Sequence, residues 1–280
     1  MRTFVIAECC SSWRFGPIEQ HLQNAYRMIL AAKECDADAA KFQWTSDVEE
    51  MARRRNDTNP ANYEILAYPI EWLHKLKAKC DEVGIEFMCT VFIERDIATI
   101  APFVSRFKVA SAESSDGRFI AAHGGYKKET LVSYAFGSAP QQDCWYPNVK
   151  HLHCVCSYPT PIDQLNLNRL RNNNFSDRPE HLIQWFDGIS DHTTSTLTGA
   201  LAVACGATII EKHIKLYETP KDNPDFPHSI HVGYSGDYQE QAESFSKYVS
   251  NIREAEKAMG SGENVEMPCE VVNRGRRVRI

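Results

Sequence analysis

One repeated unit constrains the fold more than any other feature: a short apolar, β-rich run followed by an amphipathic stretch. The β-rich runs are Thr3–Cys9, Ala39–Gln43, Glu86–Phe92, Phe107–Glu113, Leu131–Phe136, His151–Tyr158, Asp187–His192 and Thr208–Ile214. The helix-like stretches are Ile18–Cys35, Ile70–Val83, Arg95–Phe103, Arg118–His123, Ile162–Asn172, Thr196–Cys205 and a final one from Tyr238 to Met259. Eight strands, seven of them followed by a helix-like stretch, are typical of parallel strands joined by helices, so we predict an α/β fold, a single-domain (β/α)8 TIM barrel.

The length of the chain agrees with one barrel. The chain has 280 residues, and barrels of this kind need roughly 250. We assign residues 1–262 to the barrel and residues 263–280 to a basic, solvated C-terminal tail. Three stretches interrupt the regular alternation, at 47–68, 141–150 and 218–237. The first is predicted to be an insertion after the second strand, and the second replaces a regular fifth helix.

Charge and composition exclude several classes of protein. Lysine and arginine number 31 against 37 acidic residues, and this net charge of −6 argues against a general nucleic-acid binder. No apolar run approaches the roughly 20 residues of a membrane span, and the N-terminus lacks the apolar stretch of a secretory leader. We therefore expect a cytoplasmic protein with no nucleic-acid or membrane partner, whose ten cysteines are reduced thiols.

Polar residues collect where the predicted strands end, which is where TIM barrels carry their catalytic groups. In strand order they are Glu8; Lys41 and Gln43; Thr90; Lys108, Ser111 and Glu113; Ser133; His153 and Tyr158; Ser190, Asp191 and His192; and Glu211, Lys212 and His213. Charges in apolar strands are costly unless they are paired or functional. Lysines suit an anionic group, and the two histidines at the ends of neighbouring strands suit a divalent metal. The pattern predicts a site for an anion and a metal.

Nine segments resemble the sialic acid synthase family, whose members condense phosphoenolpyruvate with a sugar to make nonulosonic acids. They are IAE at 6–8, AAKFQ at 39–43, EWLHKLKAKCDEVGIEF at 71–87, CTVF at 89–92, FKVASAE at 107–113, HCVCSYPTP at 153–161, NLNRL at 166–170, GISDHT at 188–193 and GATIIEKHIKL at 206–216. SYPTP, SDHT and IEKH are specific together, whereas each alone is a weak signal.

The resemblance implies both a reaction and a set of site residues. The barrel would join phosphoenolpyruvate to an aldose or to an open-chain amino-sugar aldehyde, giving a 2-keto-3-deoxy acid of the nonulosonic type and phosphate. The implied metal ligands are His192 and His213, with Mn²⁺ expected and Mg²⁺, Co²⁺ or Zn²⁺ as alternatives. The implied phosphoenolpyruvate contacts are Lys41, Thr90, Lys108, Ser111, Ser133 and Ser190. The implied sugar-side residues are Glu8, Gln43, Glu113, Tyr158, Glu211 and Asp225. Those taken as catalytic are Glu8, Glu113, Glu211 and the two histidines.

The sequence departs from the family pattern in its substrate-facing loops. The usual G-x-N-H-x-G is CCSSWRFG at 9–16, T-P-F-D is TVFI at 90–93, S-T-G-M is SYAF at 133–136, and P-D-H-x-x-S is PDFPHS at 224–229. Cys156 stands where the family has asparagine before Tyr-Pro. These changes predict an acceptor other than N-acetylmannosamine. Trp13 and Arg14, in the first changed loop, fit either a cap over the site or loop packing.

Family members usually carry a small antifreeze-like domain after the barrel, and this sequence stops near the point where that domain begins. Either this chain is the barrel of a longer protein, or a partner chain is expected to supply a lid. The resemblance also implies a homodimer of barrels. The changed loops and the absent domain leave two alternative functions open. One is a non-catalytic sugar-phosphate-binding or assembly subunit. The other is a metal-dependent barrel lyase or hydrolase that reuses the phosphate site.

Overall fold

In the computed structural model, which describes residues 2–138, 148–170, 186–232, 244–263 and 267–270, eight parallel strands close into a barrel. The strands are β1 (Phe4–Glu8), β2 (Ala39–Gln43), β3 (Glu86–Thr90), β4 (Arg106–Val109), β5 (Glu129–Tyr134), β6 (Val149–Cys154), β7 (Gly188–Asp191) and β8 (Ile209–Lys215). Each strand pairs with the next in chain order, and β8 pairs with β1. The predicted (β/α)8 TIM barrel is confirmed.

Seven α-helices lie among the described residues, and none is long and apolar enough to cross a membrane. They are α1 (His21–Glu34), α2 (Val48–Arg54), α3 (Glu71–Val83), α4 (Glu94–Ile100), α5 (Gly117–Gly124), α6 (Thr198–Ala204) and α7 (Phe245–Met259). The insertion after β2 consists of α2 and a 3-10 segment, Pro60–Leu66. A short ninth strand, β9 (Ile230–His231), pairs with the end of β8.

The structure describes only part of two predicted helices. The helix predicted over 162–172 is wrong in its described part, which holds two 3-10 turns, Ile162–Gln164 and Leu167–Arg169. Asn166 between them has a φ of 53°, a left-handed conformation that an α-helix does not contain. The last helix begins at Phe245 after Ser244, whose side chain accepts a hydrogen bond from the Lys247 amide. Its predicted start at Tyr238 and most of the predicted tail lie outside the described residues.

Alternation along the strands separates two apolar cores. Outside the barrel, α1 packs Ala25, Met28 and Ile29 onto the sheet at helical spacing. The helix α3 does the same with its buried residues, Leu73, Leu76 and Cys80. Inside the barrel, six strands contribute one residue each to a separate apolar layer: Ile6, Ala39, Met88, Leu131, Leu152 and Ile209. Because side chains alternate, the next inward position lies two residues further along each strand. Those positions form the site described below.

Gly188 begins β7 opposite Ile209 of β8, and there is no room there for a side chain. A Cβ at position 188 would lie 1.7 Å from the Ile209 carbonyl oxygen. Because that atom belongs to the backbone of a neighbouring strand, no rotamer change relieves the clash. We predict that Gly188→Ala lowers the free energy of unfolding in urea by about 3 kcal/mol or more.

The matched control for this substitution is Gly124→Ala in α5. A Cβ at position 124 meets no atom within 4 Å. Alanine there is expected to change the free energy of unfolding by less than about 1 kcal/mol. Equal effects of the two substitutions would contradict the prediction.

Candidate active site

A polar cavity lies at the carboxyl ends of the strands. It is lined by Glu8, Lys41, Gln43, Thr90, Lys108, Ala110, Ser111, Ser133, Cys154, Tyr158, Ser190, His192, Glu211 and His213. Twelve of these fourteen residues are the ones that the sequence predicts for the site. Of the predicted set, Glu113 and Asp225 are not among the lining residues, and Ala110 and Cys154 were not predicted.

The floor of the cavity carries four buried charges that balance one another. Lys41 forms an ion pair with Glu8 and donates to the Thr90 hydroxyl at 3.0 Å. Glu211 lies between the two lysines, 3.8 Å from Lys41 and 3.7 Å from Lys108. Burial lowers the pKa of Lys41 to about 8. Burial alone would raise the pKa of Glu211, but Lys108 and Lys41 outweigh it and lower that pKa.

Hydroxyl groups surround the two ammonium groups. The Ser133 and Ser190 hydroxyls lie 2.6 Å apart, and Ser111 and Thr90 also line the cavity. Lys108 donates to the carbonyl of Val109 at 3.1 Å. Hydroxyl donors beside buried ammonium groups can bind the oxygens of a phosphate or carboxylate through charge-assisted hydrogen bonds. This part of the cavity is therefore built for an anion.

His192 and His213 lie on the side of the cavity formed by β7 and β8, with ring centroids 5.4 Å apart. His192 Nδ1 is 2.9 Å from the carbonyl oxygen of Val155. Since a carbonyl only accepts, Nδ1 carries the proton and Nε2 has a free lone pair. Burial lowers the pKa of His192 to about 4 and that of His213 well below its usual range. Both rings are therefore neutral near pH 7, which is the form that binds metals.

Two residues near His213 have no site role in the sequence prediction. His228 has its ring 4.5 Å from that of His213. Cys10, in the loop after β1, offers a thiol that lies with ligand atoms of His213 and Asp225 inside a 4.8 Å cluster. The sequence signal for His228 was the PDFPHS segment. The family pattern has its histidine at position 226, whereas this chain has Phe226 there and a histidine two residues later. For Cys10 there was no local signal.

The residues around His213 fit a divalent metal. Asp225 accepts from the Ser11 amide at 2.9 Å through Oδ2, while Oδ1 lies 3.8 Å from His213 and 3.4 Å from His228. Burial alone would raise the pKa of Asp225, but His228, His213 and Ser11 outweigh it and hold that pKa below its usual range. His213 Nδ1 and both ring nitrogens of His228 are buried without a hydrogen-bond partner among the described residues. Orphaned nitrogens beside an ionised carboxylate make a suitable donor set.

Three predicted residues have structural partners instead of facing the cavity. Glu113 is buried and forms an ion pair with Arg55 at 2.7 Å. Its catalytic role stays a prediction. Trp13 is 1 % exposed and packs against Trp72, with centroids 5.6 Å apart. Arg14 donates to the carbonyl of Ala67. For Trp13 and Arg14 these contacts favour loop packing over a cap.

Residues on the outer face of the strands do not reach the cavity. His153 Nε2 lies 2.8 Å from the carbonyl of Leu165, outside the barrel wall. Asp191 forms a fully buried ion pair with Lys212 at 3.1 Å. The sequence predicts His153, Asp191 and Lys212 near the strand ends. Because side chains alternate along a strand, these three point away from the barrel interior and toward the helices.

The fold and the cavity define a TIM-barrel enzyme with an anion site next to a candidate metal site. The model of the NeuB family matches residues 28–264, so the chain belongs to the NeuB family. Its relatives include an uncharacterized protein, MJ1065, of Methanocaldococcus jannaschii, which is 29 % identical over 96 % of this chain and 75 % of the relative. The pseudaminic acid synthase of Campylobacter jejuni is 28 % identical over 93 % of this chain and 76 % of the relative.

Further comparisons agree with this membership. The human N-acetylneuraminate-9-phosphate synthase is 28 % identical over 89 % of this chain and 70 % of its own length. The crystal structure of an N-acetylneuraminic acid synthetase from Leptospira borgpetersenii, in complex with citrate, superimposes with a TM-score of 0.78. That structure is 23 % identical and covers 99 % of this chain, which supports the fold. The chain is a sialic acid synthase-like, carbon–carbon bond-forming transferase.

Proposed function

We propose that this enzyme condenses phosphoenolpyruvate with the aldehyde of an open-chain sugar, releasing phosphate and a 2-keto-3-deoxy acid of the nonulosonic type. The observation that carries the proposal is one buried cavity that holds Lys41 and Lys108 beside His192 and His213. Membership of a family whose relatives are named as pseudaminic, legionaminic and N-acetylneuraminate-9-phosphate synthases supports the reaction class.

Phosphoenolpyruvate would bind over the two lysines. The carboxylates of Glu8 and Glu211 balance these lysines in the free enzyme, so an incoming anion gains partners that are already charged and fixed. Ser133 and Ser190 would donate to its oxygens. This binding would hold carbon 3 toward the histidine side of the cavity, and much of the rate enhancement would come from orientation.

The bound metal would supply Lewis-acid activation of the sugar aldehyde. Carbon 3 of phosphoenolpyruvate attacks the aldehyde carbon, a carbon–carbon bond forms, and positive charge develops at carbon 2. Water adds at carbon 2, and phosphate leaves with cleavage of the carbon–oxygen bond. Glu8 is fully buried, and its Oε1 accepts from the Cys10 amide at 2.7 Å. The second carboxylate oxygen of Glu8 can stabilise the cationic carbon or take the proton of the water.

The sugar would enter past Tyr158. This side chain is 48 % exposed at the cavity rim, and its ring lies 4.3 Å from that of His192 and 4.8 Å from that of His228. Gln43 and Glu211 line the same cavity. Because the neighbouring loops differ from the family pattern, we propose an acceptor other than N-acetylmannosamine. The boundary at residue 262, the cytoplasmic location, a homodimer and a lid from a partner chain stay predictions.

A substrate panel tests the proposal. The metal-loaded protein is incubated with phosphoenolpyruvate and a series of aldoses, and phosphate release and product mass are recorded. We expect phosphate release that requires both substrates, with N-acetylmannosamine a poor acceptor. The absence of aldose-dependent phosphate with every acceptor would refute a synthase. Binding of phosphoenolpyruvate without turnover would instead support a non-catalytic sugar-phosphate binder.

A further inference from the structure

The loop after β1 places a cysteine next to the candidate metal site. Ligand atoms of Cys10, His213 and Asp225 all lie within 4.8 Å of one another. The three residues are 7 %, 6 % and 8 % exposed, so the cluster is shielded from solvent. A thiol, an imidazole and a carboxylate at this spacing are a donor set for a divalent transition metal.

The backbone around Cys10 is held in an unusual conformation. Cys10 has a φ of 33°, which residues other than glycine seldom adopt. The Cys10 amide donates to Glu8 Oε1 at 2.7 Å, and the Cys10 carbonyl accepts from the Trp13 indole at 2.7 Å. Strained residues held from both sides cluster at functional sites. These two hydrogen bonds hold the backbone from which the thiol projects.

Of the two partners of Cys10, Asp225 offers a carboxylate oxygen and His213 a ring nitrogen. Ser11 engages one oxygen of Asp225 and leaves the other 3.8 Å from His213 Nδ1. His213 Nδ1 is itself buried without a hydrogen-bond partner among the described residues. Cys10 also belongs to a small apolar cluster with Met51, Leu66, Phe92 and Ile93. Apolar packing explains the burial of Cys10, but it leaves the buried nitrogen of His213 unexplained.

We propose that Cys10 and Asp225 bind the catalytic metal together with His213, and that the site therefore prefers Zn²⁺, Co²⁺ or Fe²⁺ to Mn²⁺ or Mg²⁺. The catalytic role given to the metal rests on the proposed function, whereas the binding of the metal to these residues does not. A thiolate is a softer ligand than oxygen and selects the later transition metals. On binding, the Cys10 thiol releases its proton to solvent, and a metal–sulfur bond forms. His228, whose ring nitrogen lies 3.4 Å from Asp225, would position the carboxylate once the metal is bound.

Cobalt spectroscopy tests the proposal without any substrate. The metal-free full chain is titrated with Co²⁺, and the near-ultraviolet absorption band of thiolate-to-cobalt charge transfer is recorded. We expect the band in the wild type and its loss in Cys10→Ser. Zn²⁺ affinity, measured by competition with a chromogenic chelator, should fall by roughly tenfold or more in that variant. The matched control is Cys9→Ala, which removes the adjacent buried thiol and should keep both the band and the affinity.

Each outcome has one meaning. A wild-type protein that binds Co²⁺ without the band overturns the proposal, whether or not any variant folds. A band that persists in Cys10→Ser, or disappears in Cys9→Ala, overturns it as well. A second variant, Asp225→Asn, is expected to weaken Zn²⁺ binding while it keeps the band. A protein that shows the band but condenses no aldose refutes the proposed function and leaves this inference standing.

Discussion

Replacing Lys41 by methionine is expected to lower kcat/KM for phosphoenolpyruvate on the order of 100-fold or more. The Lys41 side chain is 2 % exposed, and removal of one partner from a desolvated charge pair costs about 2–5 kcal/mol. In the variant, Glu8 and Glu211 would also leave excess negative charge facing an anionic substrate. Steady-state kinetics with phosphoenolpyruvate as the varied substrate measures the effect.

Two further proteins make this experiment decisive. Lys150→Met is the matched control, because Lys150 is a strand lysine at the start of β6 whose partner is Asp187, 3.0 Å away. Its kcat/KM should match that of the wild type. The double variant Glu8→Gln/Lys41→Met restores the charge balance of the core, so binding of phosphoenolpyruvate can be measured by calorimetry on a folded protein. Wild-type affinity in the double variant would remove Lys41 from the substrate site.

Asp191→Ala is expected to lower the free energy of unfolding by about 3–5 kcal/mol, because it leaves the buried Lys212 without its counter-charge. Lys212 Nζ is 3.1 Å from Asp191 Oδ2, and both side chains are fully buried. Asp191 also accepts from the Thr193 amide and the Tyr248 hydroxyl, each at 2.9 Å. These bonds connect β7 and β8 to α7, so the loss should appear as a lower urea midpoint.

An exposed ion pair serves as the control for Asp191. Asp81 lies one helical turn from Lys77 on the surface of α3, at 2.5 Å. Such pairs contribute about 0–1 kcal/mol, so Asp81→Ala should change the free energy of unfolding by less than 1 kcal/mol. An equally small change in the free energy of unfolding for Asp191→Ala would show that the network around Lys212 contributes little to the stability of the barrel.

Much of the fold follows from patterns that are short along the chain. The predicted β2, Ala39–Gln43, has the observed bounds, because its apolar and polar residues alternate in a run with clear ends. The prediction at 107–113 extends too far, since β4 ends at Val109 and Ser111–Glu113 forms a 3-10 turn. That turn carries Glu113 to Arg55. A polar residue that follows a strand is predicted to lie at the mouth of the barrel. The sequence does not predict whether the loop then points its side chain into the cavity.

The amino-acid sequence alone determined the barrel and placed two lysines and two histidines at its mouth, because strand parity and order are local properties. Only the tertiary structure decided that Cys10, Asp225 and His228 lie beside His213. Residues 10 and 225 are distant along the chain and belong to two loops that meet because β8 closes onto β1. Barrel closure is a long-range event, and no spacing within either loop encodes it. The proposed metal preference of the site depends on that contact.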